Sequence, residues 1–571
     1  MLVKLTKSRL FWPILVFICT IPAFAFLLKP GYYNMHDDMQ PIRQLSFELC
    51  LKDGQIPCRW SPDLGYGYGY PLFNYYPALP YAVGEIFRTF GFSFLNSIKL
   101  TAILQIILAA LFMYLFSKEI FGKLGGFLSS IFYTYAPYHA LNIYVRGAMN
   151  EAWASVFFPL ILFFARRLIL KNKIIYLIGL ALSFSGLMLS HNPMVLTFTP
   201  ILGICCLFWL IESKHFDYKH IFKLTISGLL AFCLSAFFTL PVLFESKLVQ
   251  IETMFINYYH YSAHFASVYQ LFISNFWGDG GSIWGPNDGM SFMIGYTHWL
   301  LPMIIIFTIV FISFKTKKIN KNYVFPVILI LMGLFAAFLS HERSTFLWQI
   351  FTPIQKVQFP WRFLNHTTFL FSLSMGVTPL ILSKYLKLKP ATIIVGIIAL
   401  IAFSTNINYF HPVKSGPITD VEKFSGESWR LQTTASIYDY LPKTASTAAK
   451  KPANKFIDAT DQESGYSISG QKQGTDWLFF NLSLTQKSKV TISQLAFPNF
   501  VITDNGYVIN YEIDPELGRM VINLDTGNHQ IFVKLHNTPT RIIGNTISAI
   551  CWFFVLFYFI YFLWKKLTSK K

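Results

Sequence analysis

The stretch "YPALPYAVGEIFRTFGF", residues 76–92, decides how the rest of the chain is threaded. It is apolar, yet it opens with two prolines and carries Glu85 and Arg88. A helix crossing about 30 Å of hydrocarbon needs roughly 20 apolar residues, and a charge at mid-depth costs about 2.5–3.5 kcal/mol on insertion scales. We therefore read 76–92 as an interfacial or re-entrant helix at the membrane boundary. That choice fixes the parity of every later crossing.

Around it, apolar runs place crossings near 10–28, 98–117, 124–141, 152–170, 174–190, 194–211, 221–241, 294–314, 323–340, 363–383, 390–408 and 543–563, about twelve in all. With the basic N-terminus "MLVKLTKSR" in the cytoplasm, "SKEIFGK", "RRLILKNK", "ESKHFDYKH", "KTKKINKN", "KYLKLK" and "KKLTSKK" all fall inside. The positive-inside rule asks for this pattern. Counting 76–92 as a crossing would invert every loop after it. The first run is long for a signal-peptide core and no small-residue cleavage site follows it, so it reads as a retained signal anchor.

Composition agrees. Of 571 residues, 54% are hydrophobic and 13% charged, against about a quarter charged in soluble domains. The expected fold class is an α-helical polytopic membrane protein with a small C-terminal extracytoplasmic β-sandwich. The formal charge of +19 sits mainly in short clusters between apolar runs, which excludes a nucleic-acid partner.

Three regions follow: 1–408, a transmembrane domain whose first external loop spans 29–97; 409–542, an extracytoplasmic domain, β-rich from about 465; and 543–571, a final helix with a basic cytoplasmic tail. The strand signals are "WLFFNLSL", "KVTISQLAF", "FVITDNGYVINYEI", "RMVINLD" and "HQIFVKLH", with turns at Asn505-Gly506 and Thr526-Gly527. "LPKTASTAAKKPANK", 441–455, reads as a linker or flexible insertion. Tyr, Gly and Pro dominate "CRWSPDLGYGYGYPLFNYYPALPY", which reads as a rigid loop with its aromatics at headgroup level. Cys50 and Cys58 share a polar loop, where an oxidising compartment would let them pair.

The spans hold almost no ionisable side chain at mid-depth, unlike ion-coupled carriers. Polar chemistry collects outside instead. Such a boundary site suits a substrate whose lipid tail stays in the bilayer while its phosphate and head group meet the protein. In "NMHDDMQPIRQLSFELC", 34–50, apolar residues recur at helical spacings, giving a short amphipathic helix on the membrane with Asp37 and Asp38 at its N-terminus. There they either cap the helix or act on an acceptor hydroxyl, one as general base and the other orienting it or holding a metal.

Arg362 in "QFPWRF" either snorkels to headgroups or clamps a phosphate. Arg146 and Glu151 in "YVRGAMNEAW" form either a structural ion pair or the second polar wall of the same site. His36, Arg43, His191 and Trp361 complete the substrate-binding candidates. His260 and His264 stand at i, i+4, but with no carboxylate near in sequence no metal site is assigned.

Taken together, "HDD", "YGYPLFNYYPALPY", "YVRGAMNEAW", "LSHN", "QFPWRFL" and "HNTPTRIIGN" resemble bacterial YfhO-like multi-pass membrane proteins, including the pyruvoyl-tetrahydropterin-synthase-related membrane proteins, within the GT-C glycosyltransferase superfamily. The resemblance implies a bacterial cytoplasmic-membrane enzyme, and the parity of the crossings puts both termini inside. It would take a polyprenyl-phosphate sugar as donor and transfer the sugar to a glycan, lipid or protein acceptor on the outer face. It matches Asp37 and Asp38 to the superfamily's acidic first-loop residue, and Glu151 by position to the acidic residue of the next loop, although "RGAMNE" departs from the usual aspartate there. Some members use a divalent ion, Mg or Mn, and others none. Two other classes are a lipid or polysaccharide transporter and a non-catalytic membrane assembly protein.

Overall fold

The computed structural model describes residues 10–318, 320–460 and 465–568. The basic N-terminus 1–9 and the last three residues of the basic tail, 569–571, lie outside the described residues. The protein is a mostly helical membrane protein with a C-terminal β-sheet domain.

Among the described residues, eight helices are long and apolar enough to cross a membrane, or nine if the bent pair Tyr218–Leu234 and Ala236–Leu248 counts as one span. About twelve were expected, and local breaks account for the difference. The two expected crossings 98–117 and 124–141 lie in one continuous stretch, Phe94–Thr134, separated at Gly122, whose φ 77° and ψ 177° are not helical. Ser117 Oγ donates to Ser129 Oγ (2.8 Å) and Ser130 Oγ to the Ala110 carbonyl (2.7 Å), so the two legs pack antiparallel. Ile174–Met188 has only 15 residues. Residues 360–382 are divided among four short helical pieces. The bent pair turns by 81° around Ser235; there the Phe237 N–H donates to Ser548 Oγ (2.9 Å) instead of to its own helix. The segment at 76–92 is an 11-residue helix, Leu79–Thr89, about 16 Å long at 1.5 Å per residue and half of what a crossing needs.

The chain sorts into two compact units. The first comprises Met1–Asp38, Leu95–Ala231 and Phe255–Ile418. Trp12, Val16, Ala110 and Tyr114 form one of its apolar cores, and Tyr261, Trp348 and Phe363 belong to another. A two-residue antiparallel ladder pairs Tyr32–Tyr33 with Ser415–Gly416. Gly31 approaches the Gly416 carbonyl so closely that a side chain would overlap it.

The second unit comprises Met39–Phe94, Phe232–Met254 and Thr419–Lys571. It holds a five-stranded antiparallel sheet in the order Tyr466–Gln473, Trp477–Leu484, Gly527–Leu535, Phe500–Asp504, Tyr507–Ile509. A four-stranded one runs Ile457–Thr460, Ser488–Leu495, Arg519–Leu524, Glu512–Ile513. Strict alternation in "WLFFNLSL" buries Leu478, Phe480, Leu482 and Leu484. Asn505 (φ 50°) and Gly506 (φ 86°) make the tight turn that pairs Asp504 with Tyr507.

Three surface expectations are corrected within this unit. Helix Gln40–Lys52 does not lie on a membrane with one face exposed. Gln40, Arg43, Gln44, Ser46 and Glu48 are buried with its apolar residues, and Glu48 pairs with Arg88 (2.6 Å) while Gln44 reaches Glu85 (3.2 Å). Tyr68, Tyr70, Tyr75 and Tyr81 are buried rather than set at headgroup level, because their hydroxyls find partners in Asp458, the Ser436 and Glu245 carbonyls, and Gln40. Residues 441–455 are pinned: Thr444 donates to the Ala496 carbonyl (2.8 Å), Ser446 to that of Pro515 (2.9 Å), and the Ala453 N–H to that of Tyr66 (3.0 Å). Cys50 and Cys58 form a disulfide.

Candidate polar site around Glu151

Residues 137–151 of the first unit carry the site. Helix Pro137–Ala140 runs into a π-helical turn, Leu141–Val145, before helix Met149–Lys171 begins. π turns recur at functional sites, where they re-aim side chains. Tyr138, Asn142 and Arg146 follow at intervals of four, which places them along one helical face. Gly147 (φ 62°) then reverses the chain. The reversal turns Glu151, in the first turn of its helix, back onto Arg146, and a carboxylate there complements the helix dipole.

Glu151 is 1% exposed and is gripped from three sides. Arg146 Nη1 donates to Oε2 (2.9 Å), the Tyr138 hydroxyl to Oε1 (2.6 Å), and Arg362 Nε lies 3.3 Å from Oε2 in an ion-pair contact without hydrogen-bond alignment. Arg146 also donates to Asn142 Oδ1. Arg362 Nη1 donates to the Val357 carbonyl (2.7 Å) and Gln358 Oε1 (3.2 Å). Burial opposes the charge on Arg146, but Glu151, Tyr138 and Asp37 outweigh it and hold its guanidinium above the ordinary value. For Arg362, burial prevails over the pull of Glu151 and lowers it.

Trp361 supports this pair. Its ring is stacked on Phe359 (4.8 Å) and Phe292 (5.5 Å), with the Arg146 guanidinium 4.4 Å from its centroid and its indole N–H on Ser282 Oγ (3.2 Å). Buried cation–π contacts are worth up to about 2 kcal/mol. The indole thus packs as a prop for Arg146, with neighbours already on its rings.

Residues 35–37 are bonded onto the same floor. The His36 N–H donates to the Val145 carbonyl (3.0 Å) and the Asp37 N–H to that of Arg146 (2.9 Å). His36 Nε2 lies 3.0 Å from the Asp279 carbonyl. Met35 packs so tightly on Gly147 that any side chain there would overlap Met35 Sδ. The two aspartates separate here. Asp37 acts electrostatically on both Arg146 and Arg362, whereas Asp38 acts on Tyr33, whose hydroxyl is raised by burial first and Asp38 second. Neither occupies the N-cap, since the following helix starts at Gln40 with Met39 as its cap residue.

His191 lies in the same electrostatic neighbourhood. Burial and Arg362 push its imidazole down to about 3, leaving it neutral at neutral pH. Its Nδ1 is a buried nitrogen without a hydrogen-bond partner among the described residues. Asn365, three residues past Arg362, has both amide atoms buried in the same condition. Orphan polar groups of this kind mark a place for water or a polar ligand. Arg43 belongs to the second unit, where its guanidinium covers the Tyr76 ring (4.1 Å) and donates to the Tyr76 hydroxyl (2.8 Å).

Tyr138, Asn142 and Asn365 were missed in the sequence, although the spacing of four from Tyr138 to Arg146 was there to be read. Among the described residues no group of three or more His, Cys, Asp or Glu side chains is arranged to hold a metal ion. The arrangement as a whole is the buried guanidinium of Arg146 and the partly buried one of Arg362 sharing one buried carboxylate, with a second carboxylate, Asp37, held at its edge. It can stabilise an anion and move a proton beside it.

No family model matches the chain. An uncharacterized protein of Lactococcus lactis subsp. cremoris (strain MG1363) is 23% identical over 350 residues, which is 57% of this chain and 53% of that protein, so the chain aligns with about half of that relative's length. Among solved structures, ArnT from Cupriavidus metallidurans bound to undecaprenyl phosphate aligns over 76% of this chain and 77% of its own, at 12% identity and a TM-score of 0.36, too low to carry an inference about fold or function.

Proposed function

We propose that the protein is a membrane glycosyltransferase of the GT-C kind. It would move a sugar from a polyprenyl-phosphate donor to an acceptor hydroxyl on the outer face of the cytoplasmic membrane. One observation carries the reading: Arg146 and Arg362 converge on Glu151 while the Asp37 backbone is bonded to that of Arg146. Phosphate leaves with growing negative charge, so preorganised guanidiniums at that point supply the largest single effect, on the order of 10²–10³ in rate for one donor.

Asp37 takes the proton from the acceptor hydroxyl as its oxygen attacks the anomeric carbon, and the carbon–oxygen bond to phosphate breaks. Glu151, held by two hydrogen bonds and the ion-pair contact with Arg362, orients the two arginines. Trp361 props Arg146, and neutral His191 and Asn365 offer hydrogen bonds to the donor's head group. The carboxylates present do not assemble a divalent-ion set among the described residues, so no step is routed through Mg or Mn.

The test is transfer in membranes or nanodiscs, with polyprenyl-phosphate hexoses and pentoses offered singly and products read by mass spectrometry. Wild-type protein forms a glycosidic bond and Asp37→Asn, expressed to the same level, does not. Lipid-linked sugar that crosses the bilayer without bond formation would instead identify a transporter. Wild-type turnover by Asp37→Asn would remove that carboxylate from the mechanism.

A further inference from the structure

The second unit contains a cavity of about 220 Å³ that the reading above does not use. One wall is the loop Gly54–Arg59, braced by the Cys50–Cys58 disulfide and by Gln55, which donates to Thr475 Oγ1 (2.9 Å). The other is the end of strand Gly527–Leu535 and the start of helix Pro539–Thr568, with Lys534, His536, Asn537 and Arg541.

Two arginines face each other here in an unusual state. Arg59 is 4% exposed and Arg541 1%. Each has one anchored nitrogen: Arg59 Nη2 donates to Asn545 Oδ1 (2.8 Å) and Arg541 Nε to Glu245 Oε2 (2.9 Å). Arg59 Nε and Nη1 and Arg541 Nη2 are buried without a hydrogen-bond partner among the described residues. Burial, and next the charge of Arg541, lower the Arg59 guanidinium to about 9. Leaving charged donors buried and unpaired costs more than pairing them gains, and both guanidiniums belong to residues that line the cavity, so these nitrogens are the ones an entering acceptor would satisfy.

The local charge is positive. Lys534 is matched by Asp476 (2.6 Å), which lines the same cavity, while Glu245 pairs with Arg541 and acts on Arg59 only electrostatically, so the two arginines share one carboxylate and one positive charge is left in excess among these groups. The N-terminal turn of a 30-residue helix adds its dipole in the same sense. We infer that this cavity binds a phosphate group, held by Arg59 and Arg541. Three donor nitrogens from two guanidiniums match a tetrahedral oxyanion better than a planar carboxylate, whose two oxygens one fork satisfies. With each water occupying about 30 Å³, the space holds roughly seven waters, enough for a phosphate with a short polar stub and too little for a nucleotide. The phosphate is either free or the head group of a lipid. This inference stands apart from the transferase reading, since it rests on other residues.

Lipid-stripped full-length protein in non-ionic detergent tests it. Thermal unfolding is followed with inorganic phosphate titrated at constant ionic strength, against acetate as control. In parallel, nanodiscs of phosphatidic acid are compared with nanodiscs of an uncharged glycolipid, with retained lipid counted by native mass spectrometry. Saturable stabilisation by inorganic phosphate assigns a free-phosphate site, and stabilisation only by phosphatidic acid, with lipid retained, assigns a lipid-phosphate site. Arg59→Gln weakens the effect by about 10-fold or more, the loss of charge-assisted hydrogen bonds, and Arg59→Lys, which keeps the charge without the fork, also weakens it. Acetate equal to phosphate on wild-type protein, no response in either arm, or full binding in a folded Arg59→Gln variant would overturn the inference. The wild-type comparison needs no variant to fold.

Discussion

Replacing Glu151 by Gln keeps its shape and removes its charge, and the structure says what that should cost. At an effective dielectric of about 20, charges 2.9 and 3.3 Å apart attract by about 6 and 5 kcal/mol. Desolvation of the ions offsets most of this, but in Glu151→Gln the guanidiniums of Arg146 and Arg362 remain buried with nothing to balance them. Breaking a buried ion pair from one side costs about 3–5 kcal/mol. A loss of that size lowers the melting temperature in detergent on the order of 5–10 °C. Adding Arg362→Gln removes one of the two stranded cations, so the double variant should recover about half of the loss, a coupling that a mutant cycle reads directly. Glu151→Gln melting within about 2 °C of wild type would refute the claim that this carboxylate is the keystone of the cluster.

Further tests follow from the same geometry. Asp37→Asn should lower transfer by about 10²–10⁴ and Asp38→Asn by less than about tenfold, measured at matched expression; equal losses would erase the distinction drawn between them. Gly147→Ala should destabilise by about 1–3 kcal/mol, from its positive φ and the overlap with Met35, and Met35→Ala in that background should restore part of it. His191, neutral when folded with a value near 3, binds a proton more readily when unfolded. Stability should therefore fall as pH drops below about 6.5 toward 3, with no contribution above that window. The slope should flatten in His191→Asn, read by melts at pH 7 and pH 5.

The β-sheet domain was legible almost strand by strand, because alternation in "WLFFNLSL" and "HQIFVKLH" and the turn at Asn505-Gly506 are local signals. Tyr466–Gln473 escaped because it is exposed along most of its length and no burial pattern marks it, and Ile457–Thr460 lies before the β-rich stretch expected from about 465. Hydropathy found the crossings and the break between 98–117 and 124–141, where Gly122 falls in "SKEIFGK". The bend at Ser235 was hidden, because the Phe237 N–H bonds to Ser548, more than 300 residues away. At the site, charge and position picked out Asp37, Arg146, Glu151 and Arg362. The buried state of Glu151 and the grip of Tyr138 were hidden, since both arise from a π turn and a chain reversal at Gly147 that no periodicity encodes. Arg43 stands beside Asp37 and Asp38 in the sequence but belongs to the second unit, where Tyr76 takes its guanidinium.

Each unit is stitched from three separated stretches of chain, and this has a consequence for biogenesis. Leu79–Thr89 and the disulfide loop emerge early from the ribosome, yet their unit is finished only by strands and a helix made after residue 457. For most of translation these segments lack the partners they are buried against, a state in which chaperones and proteases decide the yield. A nonsense or frameshift lesion late in the reading frame would thus remove the early loops' partners along with the C-terminal domain, and the cell would see a degraded protein instead of a shortened one.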